Sequence, residues 1–413
     1  MKRLLAYSHD TYGLGNIRRM LAVCNHLVDA IPDLSILLIS GSPMVHSFRI
    51  KSGIDYIKLP CLSRTKADGY AAKSIGVDLK ETVDLRSDLI LQTASRFKPD
   101  VLLVDKKPYG VEHELRDTLN YLHTNLPDTK LALLLRDVLD SAEATTAVWK
   151  KNRYYEAVRK FYDLVLVVGL QEVFDLSKEY RFPCSTKDKV RFCGYIGQHD
   201  KPQHRTELRR EFNLKTEKLV LVTVGGGEDG YDLLKNYLCG LNPCGSAQAF
   251  DSLIVCGPEM APQRRADIGQ IAAGRAHVQV REFVNDMLGY IDAADVVVSM
   301  GGYNTICELL SLHKHAVIVP RAKPVEEQWI RAERMANLGL FRVIHPDFVT
   351  PANLRGAVAE LIGVNGKQSL PPSLDLAALP HIAGHIARLL SDAPARLQVR
   401  APLREMARER YFA

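Results

Sequence analysis

Three glycine-rich turns carry the residues that could do chemistry. Each follows a short apolar run and precedes a stretch of helical periodicity, at residues 8–16, 224–230 and 299–304. Glycines in such a turn let the backbone approach a ligand closely, and the free N–H groups at the start of the next helix attract negative charge. The turns therefore indicate an anionic ligand, although a tight turn between a strand and a helix requires glycine even without one.

The first turn contains a candidate general base. His9 and Asp10 end the first apolar run, and Gly13, Gly15 and Asn16 follow them. A histidine beside a carboxylate is a common arrangement for proton abstraction. The alternative is a loop histidine that is merely solvated.

The second turn offers a concave run of backbone N–H groups. Gly225, Gly226 and Gly227 are consecutive, and Asp229 follows them. Successive N–H groups of this kind suit an anion or the close approach of a substrate. The alternative is a flexible turn in which Asp229 caps the next helix.

The third turn is the most informative. Gly301 and Gly302 at a helix start would hold a diphosphate through backbone N–H groups and the helix dipole. Glu308, one to two turns further on, would accept two hydrogen bonds from a ribose diol. The alternative is that Thr305 and Glu308 form a capping box that only starts the helix.

Two further polar residues, Glu327 and Gln328, lie where the next predicted loop leads into a helix. A carboxylate and an amide at this position would bind sugar hydroxyl groups. On a plain helix they would be ordinary surface residues.

Short apolar strands that alternate with helical segments must position these turns. The predicted strands are Leu4–Tyr7, Ser35–Ile39, Val101–Val104, Leu131–Leu135, Leu164–Val168, Leu219–Val224, Ser252–Val255, His277–Val280, Val296–Ser299 and Ala316–Pro320. Continuous apolar strands of this kind predict parallel sheets covered on both faces. The expected fold class is α/β, with two Rossmann-like doubly wound domains facing across a cleft in which ligands bind.

The alternation also sets the expected domain boundaries. Residues 1–197 form the first domain, 198–218 a polar hinge region, 219–392 the second domain and 393–413 a helical tail. Arginines alternate with glutamates in the tail, which is typical of a solvated helix. A weak membrane-surface role is the alternative for this tail.

Composition excludes several classes of protein. The 413 residues carry a formal net charge of +6 without a long basic block, which argues against nucleic-acid binding and suits an anionic small substrate. No apolar stretch reaches the roughly 18 residues of a membrane helix, so at most peripheral membrane contact is expected. The eight cysteines form no CxxC pair, which predicts reduced thiols and a cytoplasmic location.

The motif around the third turn resembles the nucleotide-sugar half of GT-B glycosyltransferases, and most of all the family 28 enzymes similar to the peptidoglycan GlcNAc transferase. The similar segments are Ser299–Thr305 with Glu308, Pro320–Arg321, Glu327–Gln328, and Arg331–Ala332 followed by Leu338–Leu340. The N-terminal segments resemble a group of predicted bacterial glycosyltransferases; they are Tyr7–Asp10 with Gly13–Gly15, Pro99–Asp100, Val104–Lys106 and Leu135–Asp137. The resemblance spans roughly residues 1–350, and its C-terminal motif is the specific part.

The resemblance implies roles for individual residues. Those expected to bind the nucleotide sugar are Gly225, Gly226, Gly227, Phe283, Val284, Gly301, Gly302, Asn304, Thr305, Glu308, Arg321, Glu327 and Gln328, with Phe283 and Val284 beside the nucleobase. Those expected on the acceptor side are Gly13, Gly15, Asn16, Lys106, Lys107, Arg136, Asp137 and Asp229. Ion pairing between strands is the alternative for Lys106, Lys107, Arg136 and Asp137.

One position departs from the family pattern. Relatives have histidine after Gly-Leu-Gly, whereas this chain has Asn16, and an amide cannot accept a proton as imidazole does. The predicted catalytic residues are therefore His9 as the base and Asp10 as its orienting partner or as an alternative base. If neither acts, catalysis is impaired.

No cofactor and no metal are expected. The sequence has no Asp-x-Asp pair, which is how the other large glycosyltransferase fold holds its metal. Helix amino ends together with Arg321 or Lys323 would instead balance the charge of the diphosphate.

The resemblance implies an inverting, metal-independent transfer of a hexose or N-acetylhexosamine from a nucleoside diphosphate sugar, with uridine as the expected nucleoside, to an acceptor hydroxyl of unknown class. Two alternatives remain. One is a sugar-nucleotide epimerase or hydrolase on the same frame. The other is a non-catalytic nucleotide-sugar binder, which Asn16 suggests.

Overall fold

The structure, a computed structural model, describes residues 1–9, 15–64, 69–197, 204–242, 249–364 and 366–391. Asp10, Gly13 and the predicted tail 393–413 lie outside these ranges, as do residues 198–203 of the predicted hinge. The described residues form two α/β domains, each built on a parallel sheet. The predicted fold class is confirmed.

The N-terminal domain contains a seven-stranded sheet in the order β3-β2-β1-β6-β7-β8-β9. Each neighbouring pair in it is parallel. Its strands are β1 (Lys2–Ser8), β2 (Leu34–Ser40), β3 (Ile54–Lys58), β6 (Val101–Asp105), β7 (Lys130–Arg136), β8 (Leu164–Val168) and β9 (Val190–Phe192). A separate antiparallel hairpin consists of β4 (Leu62–Arg64) and β5 (Tyr70–Ala72).

Helices connect these strands on both faces of the sheet. They are α1 (Gly15–Ala30), α2 (Leu79–Phe97), α3 (Arg116–Asn125), α4 (Ala142–Lys151), α5 (Tyr154–Phe161), α6 (Leu176–Glu179) and α7 (Cys184–Lys187). Asp78 begins α2 and Ser141 begins α4, because each side chain accepts a hydrogen bond from a backbone N–H in the first turn.

The C-terminal domain repeats the pattern with a six-stranded sheet in the order β12-β11-β10-β13-β14-β15. Its strands are β10 (Leu219–Thr223), β11 (Asp251–Val255), β12 (Val278–Arg281), β13 (Val296–Ser299), β14 (His315–Ile318) and β15 (Arg342–Val343), all paired in parallel. Its helices are α8 (Arg205–Glu211), α9 (Tyr231–Gly240), α10 (Pro262–Ala272), α11 (Met287–Ala293), α12 (Tyr303–Ser311), α13 (Glu327–Asn337) and α14 (Pro351–Ile362).

Every strand predicted from the sequence is present, within two residues at either end. The central strands were recognisable because they are apolar and buried on both faces, as in β6 and β10. The edge strands β3, β9 and β15 were not predicted. They are short and partly exposed, so polar side chains interrupt their apolar pattern.

The last described helix, α15 (Ala378–Ser391), returns to the N-terminal domain, where it packs against α1 and β6. Ile382 and Ile386 of α15 are fully buried. The predicted second domain, 219–392, is therefore too long, because its last helix buries its apolar face on the first domain.

The described part of the predicted hinge region belongs to the C-terminal domain. Helix α8 packs against α11, and Arg209 of α8 donates a hydrogen bond to the carbonyl of Ala293 at 2.6 Å. The segment that follows β9 contacts the segment that leads to α15, since the N–H of Tyr195 donates a hydrogen bond to the carbonyl of Asp375 at 2.8 Å.

We expect Ile386→Ala to lower the free energy of unfolding by about 2–5 kcal/mol, because it opens a cavity between α15 and α1. Urea denaturation measures this change. Arg388→Ala, on the exposed face of the same helix, is the matched control and should change stability by no more than about 0.5 kcal/mol. Equal effects of the two substitutions would contradict the docking of α15 on the first domain.

Candidate functional site

A buried ion pair joins the two domains at the cleft. Arg331 of α13 donates to both carboxylate oxygens of Asp137, which follows β7, at 2.8 and 2.7 Å. Both side chains are completely buried. Asp137 also accepts hydrogen bonds from the Tyr195 hydroxyl at 3.0 Å and from the N–H of Val138 at 2.7 Å.

The guanidinium of Arg331 also lies 5.5 Å from the centre of the Tyr303 ring. Burial alone would lower the pKa of Arg331, but the carboxylate of Asp137 outweighs burial and raises it. Asp137, predicted as an acceptor ligand, is therefore part of the domain interface. Both of its carboxylate oxygens already accept hydrogen bonds from protein groups, and no part of the residue is exposed.

A second ion pair crosses the cleft and involves Arg136, the residue before Asp137. Arg136 at the end of β7 contacts Glu327, the first residue of α13, with an N–O distance of 2.8 Å. Burial would raise the pKa of Glu327, but Arg136 and Arg331 outweigh it and hold this pKa below its ordinary value. Glu327, the predicted sugar ligand, is therefore a carboxylate already stabilised by cations.

A third ion pair involves the predicted ribose ligand. Glu308 on α12 is buried, and one of its oxygens lies 3.1 Å from a guanidinium nitrogen of Arg18 on α1. Burial raises the pKa of Glu308, and Arg18 offsets this only in part. The capping-box alternative is not realised, since α12 begins at Tyr303 with Gly302 as its N-cap and Thr305 lies inside the helix.

One cleft cavity of about 450 Å³ brings together residues predicted for the two substrates. Arg321 and Glu327 come from the nucleotide-sugar side, and Asn16, Lys106, Lys107 and Arg136 from the acceptor side. The remaining lining residues are Tyr70, Leu139, Asp140, Ala144, Thr145, Val148, Trp149, Tyr154 and Val325. Two of the residues predicted for the nucleotide sugar therefore share this space with four predicted for the acceptor, whereas Asn304 and Glu308 line a separate cavity of about 250 Å³.

The end of β1 is fixed by polar contacts. His9 is buried, and its backbone N–H donates to the carboxylate of Asp105 at 3.3 Å. The side-chain amide of Asn16 donates to the carbonyl of His9 at 2.6 Å, and Arg19 donates to Asp105 at 2.7 Å. Asn16 thus supports the turn through its amide, and the role of His9 as a base stays a prediction.

Two glycines of the predicted diphosphate site have space around them. Gly302 and Gly225 have no atom within 4 Å of the position that a Cβ would occupy. Gly301 has a φ of +72°, and a Cβ there would lie 2.7 Å from Ile318, so only glycine fits. The start of α12 is therefore open to a ligand at Gly302.

The other glycines of the second turn are explained by packing. A Cβ on Gly227 would collide with the carbonyl of Cys256, and one on Gly226 with the carboxylate of Glu259. These two glycines let the turn after β10 pack against the segment after β11. Their predicted contact with the nucleotide sugar stays a prediction.

Several predicted residues lie elsewhere in the C-terminal domain. Asp229 was placed on the acceptor side, but it contacts Arg321 at 3.2 Å and does not line the cleft cavity. It also does not cap α9, whose N-cap is Gly230. Phe283 is 54% exposed, whereas Val284 is buried, and the contact of both with a nucleobase stays a prediction.

The side-chain amides of Gln328 and Asn304 each form a hydrogen bond with a backbone group at the predicted site. Gln328 accepts a hydrogen bond from the N–H of Arg321 at 3.1 Å, which closes the loop before α13. Asn304 of α12 donates to the carbonyl of Gly15 across the cleft at 3.5 Å. Both residues are therefore at the predicted site, although their own partners here are protein atoms.

The sequence reasoning assigned no role to Arg18, Arg19, Asp105 or Arg331, although Asp105 and Arg331 lie in segments that resemble the family. A signal existed for Asp105, because it is a carboxylate at the end of a fully buried parallel strand, the edge of the sheet at which ligands bind. The partners of the three arginines could not be predicted, since they lie 86 to 290 residues away in the sequence.

Among the residues that the structure describes, no three His, Cys, Asp or Glu side chains come together as metal ligands. Within the same residues, no helix is both long and apolar enough to cross a membrane.

Comparison with known proteins identifies the C-terminal domain. Residues 219–370 match the model of the glycosyltransferase family 28 C-terminal domain. The resemblance predicted from the sequence is confirmed for this domain.

A curated relative is the UDP-N-acetylglucosamine--N-acetylmuramyl-(pentapeptide) pyrophosphoryl-undecaprenol N-acetylglucosamine transferase of Geobacillus kaustophilus. It is 27% identical over 178 residues, which cover 42% of this chain and 47% of the relative. The chain spans about a third to a half of the length of the curated relatives it matches.

Solved structures match nearly the whole chain. MurG of Acinetobacter baumannii is 14% identical with a TM-score of 0.58, and the match covers 95% of this chain and 99% of that protein. The UDP complex of MnaA from S. aureus is 15% identical with a TM-score of 0.59, with 95% and 97% covered. At these identities the similarity shows the fold, which is that of GT-B glycosyltransferases.

We expect Arg331→Met to lower the free energy of unfolding by about 3–5 kcal/mol, because it leaves the carboxylate of Asp137 buried without its cation. The double substitution Asp137→Leu with Arg331→Met should cost less than the two single substitutions together. Urea denaturation of the three variants measures this coupling.

Arg334→Met is the matched control on the same helix. Arg334 pairs with Glu179 across the domains, but both side chains are partly exposed, so its loss should cost no more than about 1 kcal/mol. Additive effects of Asp137→Leu and Arg331→Met would contradict a coupled pair.

Proposed function

We propose that this protein is a glycosyltransferase that moves a hexose or N-acetylhexosamine from a nucleoside diphosphate sugar to an acceptor hydroxyl. The observation that carries the proposal is the shared cavity, in which Glu327 and Arg321 face Lys106, Lys107 and Arg136. A transferase must hold both substrates in one space so that the reacting atoms meet. The family 28 match of the C-terminal domain supports the same function.

The C-terminal domain would bind the nucleotide sugar. The diphosphate would accept hydrogen bonds from N–H groups at Gly301 and Gly302, at the positive end of the α12 dipole. The carboxylate of Glu308 would accept hydrogen bonds from the ribose hydroxyls, for which it must leave Arg18. Uridine is the nucleoside that similarity to the UDP-N-acetylglucosamine transferase of Geobacillus kaustophilus supports.

The transfer would follow an inverting course. The acceptor hydroxyl oxygen forms a bond to the anomeric carbon while the bond from that carbon to the diphosphate breaks, and the electron pair leaves with the diphosphate. His9 is the proposed base that takes the hydroxyl proton. Positive charge near Arg321 and the start of α12 would stabilise the leaving diphosphate.

We propose that the reaction uses no cofactor and no metal. The support is the set of cations and helix N–H groups at the cleft, which can balance the charge of the diphosphate. The nucleotide sugar would then be a co-substrate only. A cytoplasmic location is proposed with it, because the scattered cysteines are typical of reduced thiols.

We expect one nucleoside diphosphate among UDP, GDP, dTDP, ADP and CDP, with UDP favoured, to raise the thermal transition of the purified protein. A ligand that binds only the folded state adds about 2.7 kcal/mol of stability at a hundred times its dissociation constant. Glu308→Gln should greatly reduce the shift, because the neutral amide offers one acceptor oxygen in place of two and loses the charge that strengthens hydrogen bonds from the ribose hydroxyls. A thermal-shift titration measures both effects.

Glu333→Gln is the control, since Glu333 is exposed on α13 and does not line the cleft cavity. If no nucleotide shifts the transition at millimolar concentration, the proposed nucleotide-sugar site is wrong. If Glu308→Gln binds as well as the unchanged protein, the role of Glu308 is wrong.

Turnover of the bound nucleotide sugar separates the alternatives. A transferase releases the nucleotide in an acceptor-dependent manner, and Glu308→Ala removes this turnover. An epimerase or hydrolase consumes the nucleotide sugar without an acceptor. A non-catalytic binder shows tight binding and no turnover, and Asn16→His would leave it unchanged.

A further inference from the structure

A second cavity lies between the domains, beside the pair of Arg18 and Glu308. Its volume is about 250 Å³, and none of its lining residues also lines the cleft cavity. The C-terminal domain contributes α12 to its wall, whereas the N-terminal domain contributes α1 and the segment after β2. A ligand in this α1–α12 cavity therefore meets both domains.

Helices α1 and α12 run side by side in the same direction. Near their starts, Asn304 donates to the carbonyl of Gly15, and about one turn further along both helices Glu308 pairs with Arg18. Asn25 follows Arg18 by seven positions, which places it about 10 Å further along the axis of α1. Asn25 lines the same cavity, so the cavity extends past Glu308 in the direction away from the start of α12.

The order of groups in a nucleoside diphosphate matches this direction. The proposed diphosphate site is the start of α12, and the proposed ribose ligand, Glu308, lies about 9 Å further along the axis than Gly302. In a nucleotide the ribose separates the nucleobase from the diphosphate. A nucleotide with its ribose at Glu308 can therefore place its nucleobase in the part of the cavity where Asn25 lies.

The side-chain amide of Asn25 has an unused acceptor. Its carbonyl oxygen, Oδ1, is buried and has no hydrogen-bond partner among the described residues. A buried polar atom without a partner costs about 1–3 kcal/mol, and native structures keep few of them. An amide has an acceptor and a donor side by side, and the edge of a nucleobase presents the complementary pair.

The hydroxyl of Tyr303 is a second buried polar group at this cavity. Tyr303 lines the cavity from α12 and is 5% exposed. Within the part of the chain that the structure describes, its hydroxyl has no nitrogen or oxygen partner, and only the thiol of Cys307, a weak acceptor, lies near it. Both domains therefore present polar groups that a bound ligand would satisfy.

The segment after β2 adds an aromatic ring and a cation to the same cavity. Phe48 is partly buried against the core, and its ring offers a surface on which a nucleobase can stack. Arg49 is exposed and forms no ion pair or hydrogen bond with any residue that the structure describes. Its planar guanidinium can stack on a nucleobase or donate to a carbonyl oxygen of one.

We propose that the nucleoside of the nucleotide sugar binds between the domains in the α1–α12 cavity, and that Asn25, Phe48 and Arg49 of the N-terminal domain recognise its nucleobase. The proposal rests on the proposed transferase function, since it concerns the nucleotide sugar of that site. It differs from the expected contact with Phe283, which belongs to the C-terminal domain and does not line this cavity. The N-terminal domain would then bind part of the nucleotide sugar as well as the acceptor.

Calorimetry tests the proposal through the Kd of UDP for the full chain. Asn25→Leu should raise this Kd about tenfold and Arg49→Met severalfold, because each variant removes a contact to the nucleobase. Arg96→Met, at an exposed position of α2 outside the cavity, is the matched control and should leave the Kd unchanged. An unchanged Kd in both Asn25→Leu and Arg49→Met would overturn the proposal.

Urea denaturation of the same variants separates recognition from folding. Asn25→Leu replaces an amide whose carbonyl oxygen is unpaired with an apolar side chain of similar size, so the free energy of unfolding should stay unchanged or rise. A loss of UDP binding that comes with a loss of stability would contradict the role of Asn25. Arg49 is exposed, so Arg49→Met carries the test if Asn25→Leu does not fold.

Two phenylalanines distinguish the two possible positions of the nucleobase. Phe48→Leu removes the ring but keeps an apolar side chain, and it should weaken UDP binding severalfold. The same change at Phe283, on the C-terminal domain, should leave UDP binding unchanged. The reverse result, with weaker binding in Phe283→Leu alone, would overturn the proposal.

Hydrogen exchange shows which segments the nucleoside contacts. UDP should slow the exchange of backbone N–H groups in residues 44–50 of the N-terminal domain as well as at the start of α12. The exchange of α2, in the same domain but outside the cavity, should not change. Protection confined to the C-terminal domain would contradict a nucleoside bound between the domains.

The same measurements separate failure of this proposal from failure of the transferase function. If Glu308→Gln weakens UDP binding but Asn25→Leu, Phe48→Leu and Arg49→Met do not, the nucleotide site stands and only the role of the N-terminal domain is refuted. If the unchanged protein binds no nucleoside diphosphate, the transferase function and this proposal are both refuted.

Discussion

The contact between the two domains depends on one buried ion pair, that of Asp137 and Arg331. A charge without water is costly unless an opposite charge and hydrogen bonds replace its hydration, so arrangements of the domains that separate this pair are strongly disfavoured. The pair fixes the end of β7 against the start of α13. Arg136 therefore meets Glu327, and the cavity that both line takes its shape from this contact.

The carboxylates expected to bind a nucleotide sugar are already paired with arginines. Glu308 is paired with Arg18 and Glu327 with Arg136, and both arginines belong to the N-terminal domain. Hydroxyl groups of a ligand would therefore replace ion-pair contacts and not only water. Binding of the proposed nucleotide sugar would then be coupled to the contact between the domains, and the arginines that it releases would face the cleft proposed for the acceptor.

Much of the fold could be predicted because buried parallel strands are continuous apolar runs. The glycine turns marked the strand ends at the cleft, and Glu308 and Glu327 stand beside them as expected. Partners across the cleft could not be predicted, since Arg18 and Glu308 are 290 residues apart and only the domain arrangement brings them together. For the same reason the buried contact of Asp137 with Arg331 could not be predicted, and α15 was assigned to the wrong domain because an amphipathic helix does not reveal which surface it covers.

A crystal structure of the UDP complex tests the central claim most directly, because it shows where UDP binds and whether Glu308 exchanges Arg18 for the ribose hydroxyls. The account predicts the diphosphate against the N–H groups at Gly301 and Gly302, the ribose hydroxyls on the carboxylate of Glu308, and Arg18 moved away from that carboxylate. It would be contradicted by UDP bound away from Gly302. It would also be contradicted by a ribose that leaves the pair of Arg18 and Glu308 intact.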